Sequence, residues 1–310
     1  MKYRILGATG LRVSVVGLGT WQFGGEWGKT FVQREVSRII ETARDRGINL
    51  IDTAECYGNH LSEALIGRCL DRSERENWII ATKFGHAFHD FMRRSQCWSP
   101  REVEQQLHDS LKALRTDYVD LYQFHSGGDE VFDNDALWTM LRRKVEEGTI
   151  RHLGISIGNT RTGIHQVDSA ADVGARAIQV VYNRLDRRPE ERVFPSCRRQ
   201  NLGVVARVPL AGGYLSGKYE PGASFGPDDV RSRHSHEAVD RDLEEVAKIE
   251  RDEVPEGIPT ARWALAWCLQ HPAVTTVIPG CKNVEQVRQN AAAADLDTVR
   301  DDHPRAAPDV

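Results

Sequence analysis

Four polar residues in the first 125 positions have the types and spacing needed for acid–base chemistry. Asp52, Lys83 and His125 each stand at the end of an apolar run, and Tyr57 follows Asp52 by five residues. The runs are short and rich in β-branched or aromatic residues, as buried strands are. A lysine that is paired with an aspartate and lies beside a tyrosine favours the phenolate and lowers the tyrosine pKa. The four residues therefore predict a tyrosine general acid that works near neutral pH.

Strand-like runs that alternate with amphipathic segments must position these residues. Eight strands alternating with helices predict an α/β fold, a closed (β/α)8 TIM barrel, because a doubly wound open sheet usually stops nearer six strands. In such a barrel the carboxyl ends of the strands meet on one face, where the chemistry is placed. The eight runs are Val16–Thr20, Ile48–Asp52, Trp78–Lys83, Tyr118–His125, Arg151–Ser156, Ala177–Tyr182, Leu202–Arg207 and Val274–Pro279.

The barrel is expected to occupy residues 1–310 as a single domain. Two alternating runs around a glycine turn predict a β-hairpin over residues 1–16, which could plug the closed end of the barrel. Residues 218–240 form a long loop rich in Gly, Pro, Asp and Ser, expected to be a lid or binding loop, with a disordered excursion as the alternative. A helix is predicted over roughly 242–251, and residues 297–310 are expected to be a frayed tail.

Composition and charge exclude several classes of function. The net charge of −4 comes with no basic stripe, which argues against nucleic-acid binding. No signal peptide and no apolar run of spanning length is visible, so we expect a cytoplasmic protein without a membrane partner. The six cysteines form no C-x-x-C pair and the eleven histidines no H-E-x-x-H motif, so we expect no metal. Cys56 and Cys281 adjoin proposed sites but are interpreted as packing residues.

Dinucleotide binding of the Rossmann type is not supported, because the chain has neither a G-x-G-x-x-G turn nor a P-loop. Barrels bind phosphates through the loops after strands seven and eight and through a helix N-terminus. The sequence offers polar and glycine residues at both places. They are Lys218 and Arg231 in the long loop, and Gly280, Lys282, Asn283, Gln286 and Asn290 around the start of the last helix.

Short motifs follow one another along almost the whole chain. They are Gly17-Leu-Gly-Thr-Trp21, Asp52-Thr-Ala-x-x-Tyr57-Gly58, Ala81-Thr-Lys83, the run from Thr116 to His125, Gly154-Ile-Ser156, Pro209-Leu, Gly217-Lys-Tyr219 and Ile278-Pro-Gly280. Each motif is weak alone, but their order and spacing resemble the aldo-keto reductase family closely. The detailed sequence of these motifs is similar to that of the family branch that includes bacterial sugar and aldehyde reductases and potassium-channel β-subunits.

The resemblance implies a mechanism and a cofactor. Tyr57 would protonate a carbonyl oxygen while a reduced nicotinamide delivers hydride to the carbon. Asp52 and Lys83 would set the acidity of the tyrosine, and His125 would orient the carbonyl. The physics agrees, because hydride addition creates an oxyanion that needs a donor already in place. The implied cofactor is NADP, with NADPH preferred and NAD as the alternative.

The resemblance also implies a set of cofactor-binding residues. They are Gly19, Thr20, Trp21, Asp52, Ser156, Gln179, Arg207, Pro209, Leu210, Gly217, Lys218, Arg231, Gly280, Lys282, Gln286 and Asn290, with Asn183 as an alternative to Gln179. Exposed or capping roles remain open for Gln179 and Asn290, and a solvated loop charge for Arg231. Residues expected to line the substrate pocket are Trp21, Trp27, Phe84 and His86.

Three positions depart from the family pattern. Ile157 stands where asparagine is common, and Arg207 stands where an aromatic ring usually stacks on the nicotinamide. A guanidinium can stack as well, but its charge would repel the oxidised ring. The chain ends soon after the last helix, which predicts an open and tolerant pocket mouth.

The favoured interpretation is an NADP-dependent oxidoreductase that interconverts an aldehyde or ketone, such as a sugar, and its alcohol. One alternative is a non-catalytic subunit that senses a nicotinamide cofactor within a larger assembly. Another is an unrelated barrel isomerase or lyase. The expected partner is a small carbonyl or alcohol substrate, and the sequence does not determine the oligomeric state.

Overall fold

Eight parallel strands form the centre of the molecule in the computed structural model, which describes residues 1–158 and 163–296. Neighbouring strands pair in the order Leu18–Gly19, Leu50–Asp52, Ile79–Phe84, Val119–His125, Ile150–Ser156, Ala175–Val181, Gly203–Arg207 and Thr276–Val277. The ring closes between the first and last of them, where the Gly17 amide donates to the Val277 carbonyl at 2.8 Å and the Gly19 amide to the Pro279 carbonyl at 3.1 Å. The predicted (β/α)8 barrel is therefore confirmed. The strands are β1 (Tyr3–Ile5), β2 (Arg12–Ser14), β3 (Leu18–Gly19), β4 (Leu50–Asp52), β5 (Ile79–Phe84), β6 (His86–Asp90), β7 (Arg93–Gln96), β8 (Val119–His125), β9 (Ile150–Ser156), β10 (Ala175–Val181), β11 (Gly203–Arg207) and β12 (Thr276–Val277).

Helices pack around the barrel and begin where the sequence supplies caps. Helix α3 starts with a capping box in which the Ser99 hydroxyl accepts from the Glu102 amide and the Glu102 carboxylate accepts from the Ser99 amide. The helices are α1 (Gln33–Asp45), α2 (Leu61–Gly67), α3 (Pro100–Leu114), α4 (Asp129–Phe132), α5 (Asp135–Glu146), α6 (Ile164–Asp168), α7 (Val193–Arg199), α8 (His236–Asp252), α9 (Thr260–Gln270) and α10 (Val284–Ala292). Short 3₁₀ helices cover Trp21–Gly24, Arg72–Asn77, Arg188–Glu190, Ala211–Ser216, Val230–Arg233 and Ala293–Asp295.

The N-terminal hairpin closes the amino-terminal end of the barrel. Strands β1 and β2 pair antiparallel, as predicted. Leu6 and Val13 are fully buried and join a cluster of barrel residues that includes Leu50 and Leu121. Gly7 forms a bridge with Leu202, directly before β11 begins. The hairpin therefore blocks the end opposite to the polar strand ends, which leaves one open face.

Two elements differ from the sequence predictions. An antiparallel hairpin of β6 and β7 follows β5 and was not predicted, because its charged residues show no clear alternation. The long loop is shorter than the predicted 218–240, since α8 begins at His236 rather than near residue 242. Ser235 caps this helix by accepting from the Ala238 amide at 3.2 Å, ahead of the apolar stripe that marked the predicted start.

The predicted tail over residues 297–310 lies outside the described residues, and the assignment of 1–310 to one domain stays a prediction. Among the residues that the structure describes, no helix is long and apolar enough to cross a membrane.

Candidate active site

The ammonium group of Lys83 connects three groups at the open face of the barrel. It donates to Asp52 Oδ1 at 2.7 Å, to the Thr53 carbonyl at 2.7 Å and to the Tyr57 hydroxyl at 3.2 Å. Lys83 lies near the end of β5 and is fully buried, and Asp52 ends the neighbouring strand β4. All three ammonium protons have acceptors, so the position of the charge relative to the tyrosine is determined by the strand ends.

Two glutamines from other strands hold the second oxygen of the aspartate. Asp52 Oδ2 accepts from Gln179 Nε2 at 2.7 Å and from Gln123 Nε2 at 3.2 Å. Behind them, the Ser156 hydroxyl donates to Gln179 Oε1 at 3.3 Å. Gln123 was not predicted as a site residue, although an amide inside the apolar run of β8 was a signal that could have found it. These contacts fix the carboxylate that in turn holds Lys83.

Burial and charge act in opposite directions on the tyrosine. Burial raises the pKa of Tyr57 to about 12, and the lowering effect of Lys83 is smaller. The prediction of a net lowered pKa is therefore wrong, because it counted the charge of Lys83 and not the loss of solvent. For Lys83, burial lowers the pKa, but Asp52 and Tyr57 outweigh it and the pKa lies above its usual value. At neutral pH the tyrosine is thus protonated beside a charged lysine.

His125 ends β8 next to this group and is a neutral imidazole at pH 7. Burial holds its pKa well below the usual value, and the charges of Lys83, His86, Arg207 and Arg94 lower it further. One ring nitrogen of His86 lies 2.7 Å from the His125 carbonyl oxygen. A neutral imidazole can donate one N–H to a carbonyl oxygen and orient it, whereas it is a poor proton source.

Glycines allow the loop that follows β3 to pack directly on the tyrosine turn. A Cβ atom at Gly24 would lie 2.7 Å from the Tyr57 carbonyl carbon. Gly58 has a φ of +68°, and a Cβ there would lie 2.7 Å from the Gly24 carbonyl oxygen. Only glycine tolerates both the close approach and the left-handed backbone. The Tyr57-Gly58 pair in the motif therefore has a steric reason.

A cavity of about 480 Å³ opens above these side chains. It contains Asp52, Tyr57 and His125 together with most of the predicted cofactor residues. Ser156 does not line it, because its hydroxyl lies behind Gln179. Gly217 does not line it either and packs against Thr260. The predicted residues that do line it are Gly19, Thr20, Trp21, Gln179, Arg207, Pro209, Leu210, Lys218, Arg231, Gly280, Lys282, Gln286 and Asn290.

The basic residues at the far end of the cavity are more constrained than the sequence indicated. Lys282 Nζ donates to the Trp27 carbonyl at 2.5 Å, and Gln286 Oε1 accepts from the Lys282 amide at 2.7 Å. Arg231 is buried in an ion pair with Asp229 at 2.7 Å. The alternative of Arg231 as a solvated loop charge is therefore wrong. Lys282 is held at the cavity wall by a backbone oxygen.

The remaining predicted residues divide between the cavity and the core. Trp21, Trp27 and His86 line the cavity, as expected of substrate-pocket residues. Phe84 does not, because its ring packs in the core at 4.7 Å from that of Tyr122. Asn183 shapes a turn instead of lining this cavity, since its Oδ1 accepts from the Leu185 amide at 2.9 Å.

The hairpin of β6 and β7 adds lining residues that sequence reasoning missed. Met92 and Arg94 both face the cavity. Arg94 forms a close ion pair with the buried carboxylate of Glu26. No local motif marks this contact, since the two residues are separated by 68 positions.

Within the described part of the chain, one group of side chains could hold a metal ion. Ligand atoms of Glu55, Cys56 and His125 lie within 4.8 Å of one another. Burial raises the pKa of Glu55 to about 7 and the pKa of the Cys56 thiol well above its usual value. Both groups resist the charged form that a metal ligand needs. The absence of a metal stays a prediction.

The comparisons with known proteins agree on one family. The model of the aldo/keto reductase family matches residues 15–306. The chain belongs to this family. An uncharacterised oxidoreductase of Bacillus subtilis is 32% identical, over 96% of this chain and 92% of the relative. A probable aldo-keto reductase of Glycine max is 30% identical, over 93% of this chain and 83% of the relative.

Solved structures of other aldo-keto reductases are similar over almost the whole chain. An aldo-keto reductase from Bacillus halodurans in its holo form has a TM-score of 0.80 and 30% identity, covering 98% of this chain and 94% of its own. A glycerol dehydrogenase from Gluconobacter oxydans has a TM-score of 0.78 and 29% identity, covering 94% of this chain and 89% of its own. The protein is thus an NAD(P)H-dependent oxidoreductase that acts on aldehydes or ketones.

The cavity of this aldo-keto reductase fits a nicotinamide nucleotide chemically. Buried polar atoms that have no partner in the described residues belong to five lining residues, namely Gln22 Oε1, Trp27 Nε1, Arg94 Nε, Arg207 Nε and Ser216 Oγ. Lys218 and Lys282 place positive charge along the same wall. Unpaired donors and cations in one cleft favour a polyanionic ligand with an amide end.

Proposed function

We propose that this aldo-keto reductase uses NADP(H) to interconvert a small aldehyde or ketone and its alcohol, with Tyr57 as general acid and base. The observation that carries the proposal is the contact of Lys83 Nζ with both Asp52 at 2.7 Å and the Tyr57 hydroxyl at 3.2 Å. This arrangement offers a proton and, next to it, a cation that stabilises the phenolate left behind. We assign Asp52, Tyr57, Lys83 and His125 as the catalytic residues.

In the reduction, the Tyr57 hydroxyl transfers its proton to the carbonyl oxygen as negative charge develops there. The Lys83 ammonium then stabilises the phenolate, and Asp52 holds the ammonium in position. His125 is neutral, so it donates one N–H to the same carbonyl oxygen and orients the reacting carbon. A nicotinamide cofactor, when bound, supplies the hydride. In the oxidation, the phenolate form of Tyr57 accepts the alcohol proton.

The proposed cofactor residues divide into two groups along the cavity. The group near the tyrosine would hold the nicotinamide end, and the group near the last helix would hold the adenosine and phosphate end. The first group comprises Gly19, Thr20, Trp21, Ser156, Gln179, Arg207, Pro209 and Leu210, with Ser156 acting through Gln179. The second comprises Lys218, Arg231, Gly280, Lys282, Gln286 and Asn290, together with Gly217, which precedes Lys218 and does not itself line the cavity.

NADPH rather than NADH is proposed because Lys282 stands at the start of α10 and lines the cavity. A phosphate at that place would gain a charge-assisted hydrogen bond. The glycerol dehydrogenase among the similar structures is named for a polyol, which supports including sugars and polyols among the substrates to be tested. The family assignment favours this enzyme over a non-catalytic sensing subunit and over a barrel isomerase.

Two measurements on the purified protein test the proposal. Titration with NADPH and NADH, followed by nucleotide fluorescence, should show saturable binding with tighter binding of NADPH. An absorbance assay at the nicotinamide band should then show oxidation of NADPH with a panel of aldehydes, ketones and aldoses. Binding of neither nucleotide, or binding without turnover of any carbonyl or alcohol, would contradict the proposed function.

A further inference from the structure

Two arginines lie near the tyrosine and histidine at one end of the cavity. Arg94 and Arg207 both line the cavity, and both lower the pKa of His125 through their charge. Among the described residues that line the cavity, Asp52 is the one carboxylate, and it is already paired with Lys83. The pocket therefore has cations but no spare anion.

Arg207 has no direct ion pair among the described residues. Burial lowers its pKa, and the charges of Asp52 and Asp186 act on it and raise the pKa in part. Its Nη2 donates to the carbonyl oxygens of Ile157 at 3.1 Å and Gly158 at 3.4 Å, both neutral acceptors. Over residues 1–158 and 163–296, no carboxylate forms an ion pair with it, and its Nε has no hydrogen-bond partner. The pairs Lys83–Asp52 and Arg94–Glu26 are each neutral, which leaves Arg207 without a direct ion pair among the described residues. Glu55, which lies behind the cavity wall near His125 and has a pKa of about 7, is the nearby carboxyl that carries part of a negative charge at neutral pH.

Arg94 is held by one edge of its guanidinium. Nη2 donates to Glu26 and, at 3.4 Å, to the Cys56 carbonyl beside the catalytic turn. Glu26 is 2% exposed and also accepts from the Trp21 ring N–H at 2.8 Å and from the Met92 amide at 2.9 Å. The remaining contact of Nη1 among the described residues is the Met92 sulfur at 3.9 Å, and Nε has no partner there. The guanidinium is thus already oriented before any ligand binds, and it retains N–H donors that a ligand could use.

We propose that Arg94 recognises the substrate, and that the substrate is an acidic carbonyl compound, an aldehyde or ketone with a carboxylate or phosphate group a short chain away from the carbonyl. This inference rests on the proposed function, because it places the carbonyl between Tyr57 and His125. A guanidinium forms paired hydrogen bonds with either oxyanion, and an arginine fixed by a carboxylate loses little freedom on binding. Arg207, which has no direct ion pair among the described residues, adds a second positive charge that favours an anion.

Matched pairs of substrates test this inference in the complete enzyme with NADPH. The first pair is 4-oxobutanoate and butanal, and the second is glyceraldehyde 3-phosphate and glyceraldehyde. We expect kcat/KM to be roughly tenfold or more higher for the acidic member of at least one pair, the size of one or two hydrogen bonds to a charged group. A preference in the first pair alone would identify a carboxylate as the recognised group. A preference in the second pair alone would identify a phosphate. Equal values within both pairs would overturn the inference.

Two variants separate recognition from support of the hairpin. Arg94→Gln should remove most of the acidic preference, largely through KM, and reduce turnover of the neutral members less. Because this change also leaves Glu26 buried without its cation, Glu26→Gln provides a second test. It keeps one oxygen, which can accept from Trp21 or from Met92 in the present geometry, and it leaves the charge of Arg94 without its offset, so the acidic preference should increase. If Arg94 only supports the hairpin, both variants should lower kcat/KM by the same factor for acidic and for neutral substrates.

Arg93→Gln is the matched control on the same hairpin. Arg93 pairs with Asp90 at the surface, its side chain is 70% exposed, and it does not line the cavity. The acidic preference should be unchanged in this variant. A loss equal to that of Arg94→Gln would show a general charge effect and contradict recognition by Arg94.

A binding measurement distinguishes failure of this inference from failure of the proposed function. Succinate and its uncharged diamide, neither of which can be reduced, are titrated against the NADP⁺-loaded protein with tryptophan fluorescence. Succinate should bind more tightly, and the difference should vanish in Arg94→Gln. If neutral carbonyls are turned over but the two compounds bind equally, the proposed oxidoreductase function stands and the inferred recognition of acidic substrates is wrong. If succinate binds selectively but no carbonyl is turned over, the site for an acidic ligand stands and the proposed oxidoreductase function is wrong.

Discussion

The Nζ atom of Lys83 lies 3.2 Å from the hydroxyl oxygen of Tyr57, yet the phenol remains protonated across the neutral range. Burial raises the pKa of Tyr57 to about 12 because the phenolate would lose its hydration, and the lysine charge recovers only part of this. The pair is therefore suited to giving a proton during carbonyl reduction. Alcohol oxidation requires the phenolate, so its rate should increase with pH through the alkaline range.

Removal of the tyrosine hydroxyl is the first prediction. Tyr57→Phe should reduce kcat by about 10²–10⁴-fold, because it removes a donor that is needed only as charge develops on the carbonyl oxygen. The dissociation constant of NADPH, measured by fluorescence titration, should change little. Appreciable residual carbonyl reduction would show that another group supplies the proton.

Replacement of the lysine should shift the pH dependence as well as the rate. In Lys83→Met the phenolate loses its cation, so the pKa of Tyr57 rises further and any surviving pH profile of alcohol oxidation moves upward. Steady-state rates across alkaline pH provide the measurement. Lys83→Arg retains the charge and should move the profile less. An unshifted profile in Lys83→Met would mean that the lysine is only structural.

The charge of Arg207 should affect the balance between oxidised and reduced cofactor. Its guanidinium, held by the Ile157 and Gly158 carbonyl oxygens, stands where the family resemblance led us to expect an aromatic ring. If it lies against the nicotinamide, it repels the cationic oxidised ring. The ratio of the dissociation constants of NADP⁺ and NADPH should then be larger in the unmodified protein than in Arg207→Tyr. Equal ratios in the two proteins would dismiss this role.

Nucleotide preference should depend on Lys282 and on salt. Its ammonium donates to the Trp27 carbonyl and is a single cation rather than a two-pronged guanidinium, so the preference for NADPH over NADH should be modest. The margin should shrink as ionic strength rises, because a partly exposed charge pair is screened. Lys282→Ala should erase most of the preference, and Gln286→Arg should enlarge it. Tighter binding of NADH to the unmodified protein would contradict this assignment.

Glu55 should make folding stability depend on pH. Burial raises the pKa of Glu55 from 4.5 to about 7, so the folded protein holds a proton that the unfolded chain releases within this range. The free energy of unfolding therefore falls as pH rises from about 4.5 to 7, and the full penalty is present above it. Glu55→Gln should be more stable than the unmodified protein at pH 8 by up to about 3 kcal/mol, and similar at pH 4.

Urea unfolding at the two pH values, followed by tryptophan fluorescence, provides the measurement for Glu55. The exposed carboxylate of Glu76 supplies the control, since Glu76→Gln should leave the difference between the two pH values unchanged. A stability gain for Glu55→Gln that is the same at both pH values would show that ionisation of Glu55 is not its cause.

Local patterns were enough to predict the barrel and the residues at its open face. Each barrel strand is a short run with its own apolar signature, and Asp52, Lys83 and His125 lie at or next to the ends of such runs. Because strand ends of a parallel barrel converge, reading the ends also predicted which side chains meet. The hairpin of β6 and β7 was missed because its strands are half-buried or exposed and carry no such signature.

The tertiary structure alone decided how these residues are held and charged. Gln179 contacts Asp52 across 127 positions and Arg94 contacts Glu26 across 68, distances at which sequence spacing has no predictive value. The direction of the Tyr57 pKa shift also required the structure, since the sequence identifies the neighbouring charge but not the depth of burial. Desolvation depends on everything packed around a group, and that packing exists only once distant segments of the chain have come together.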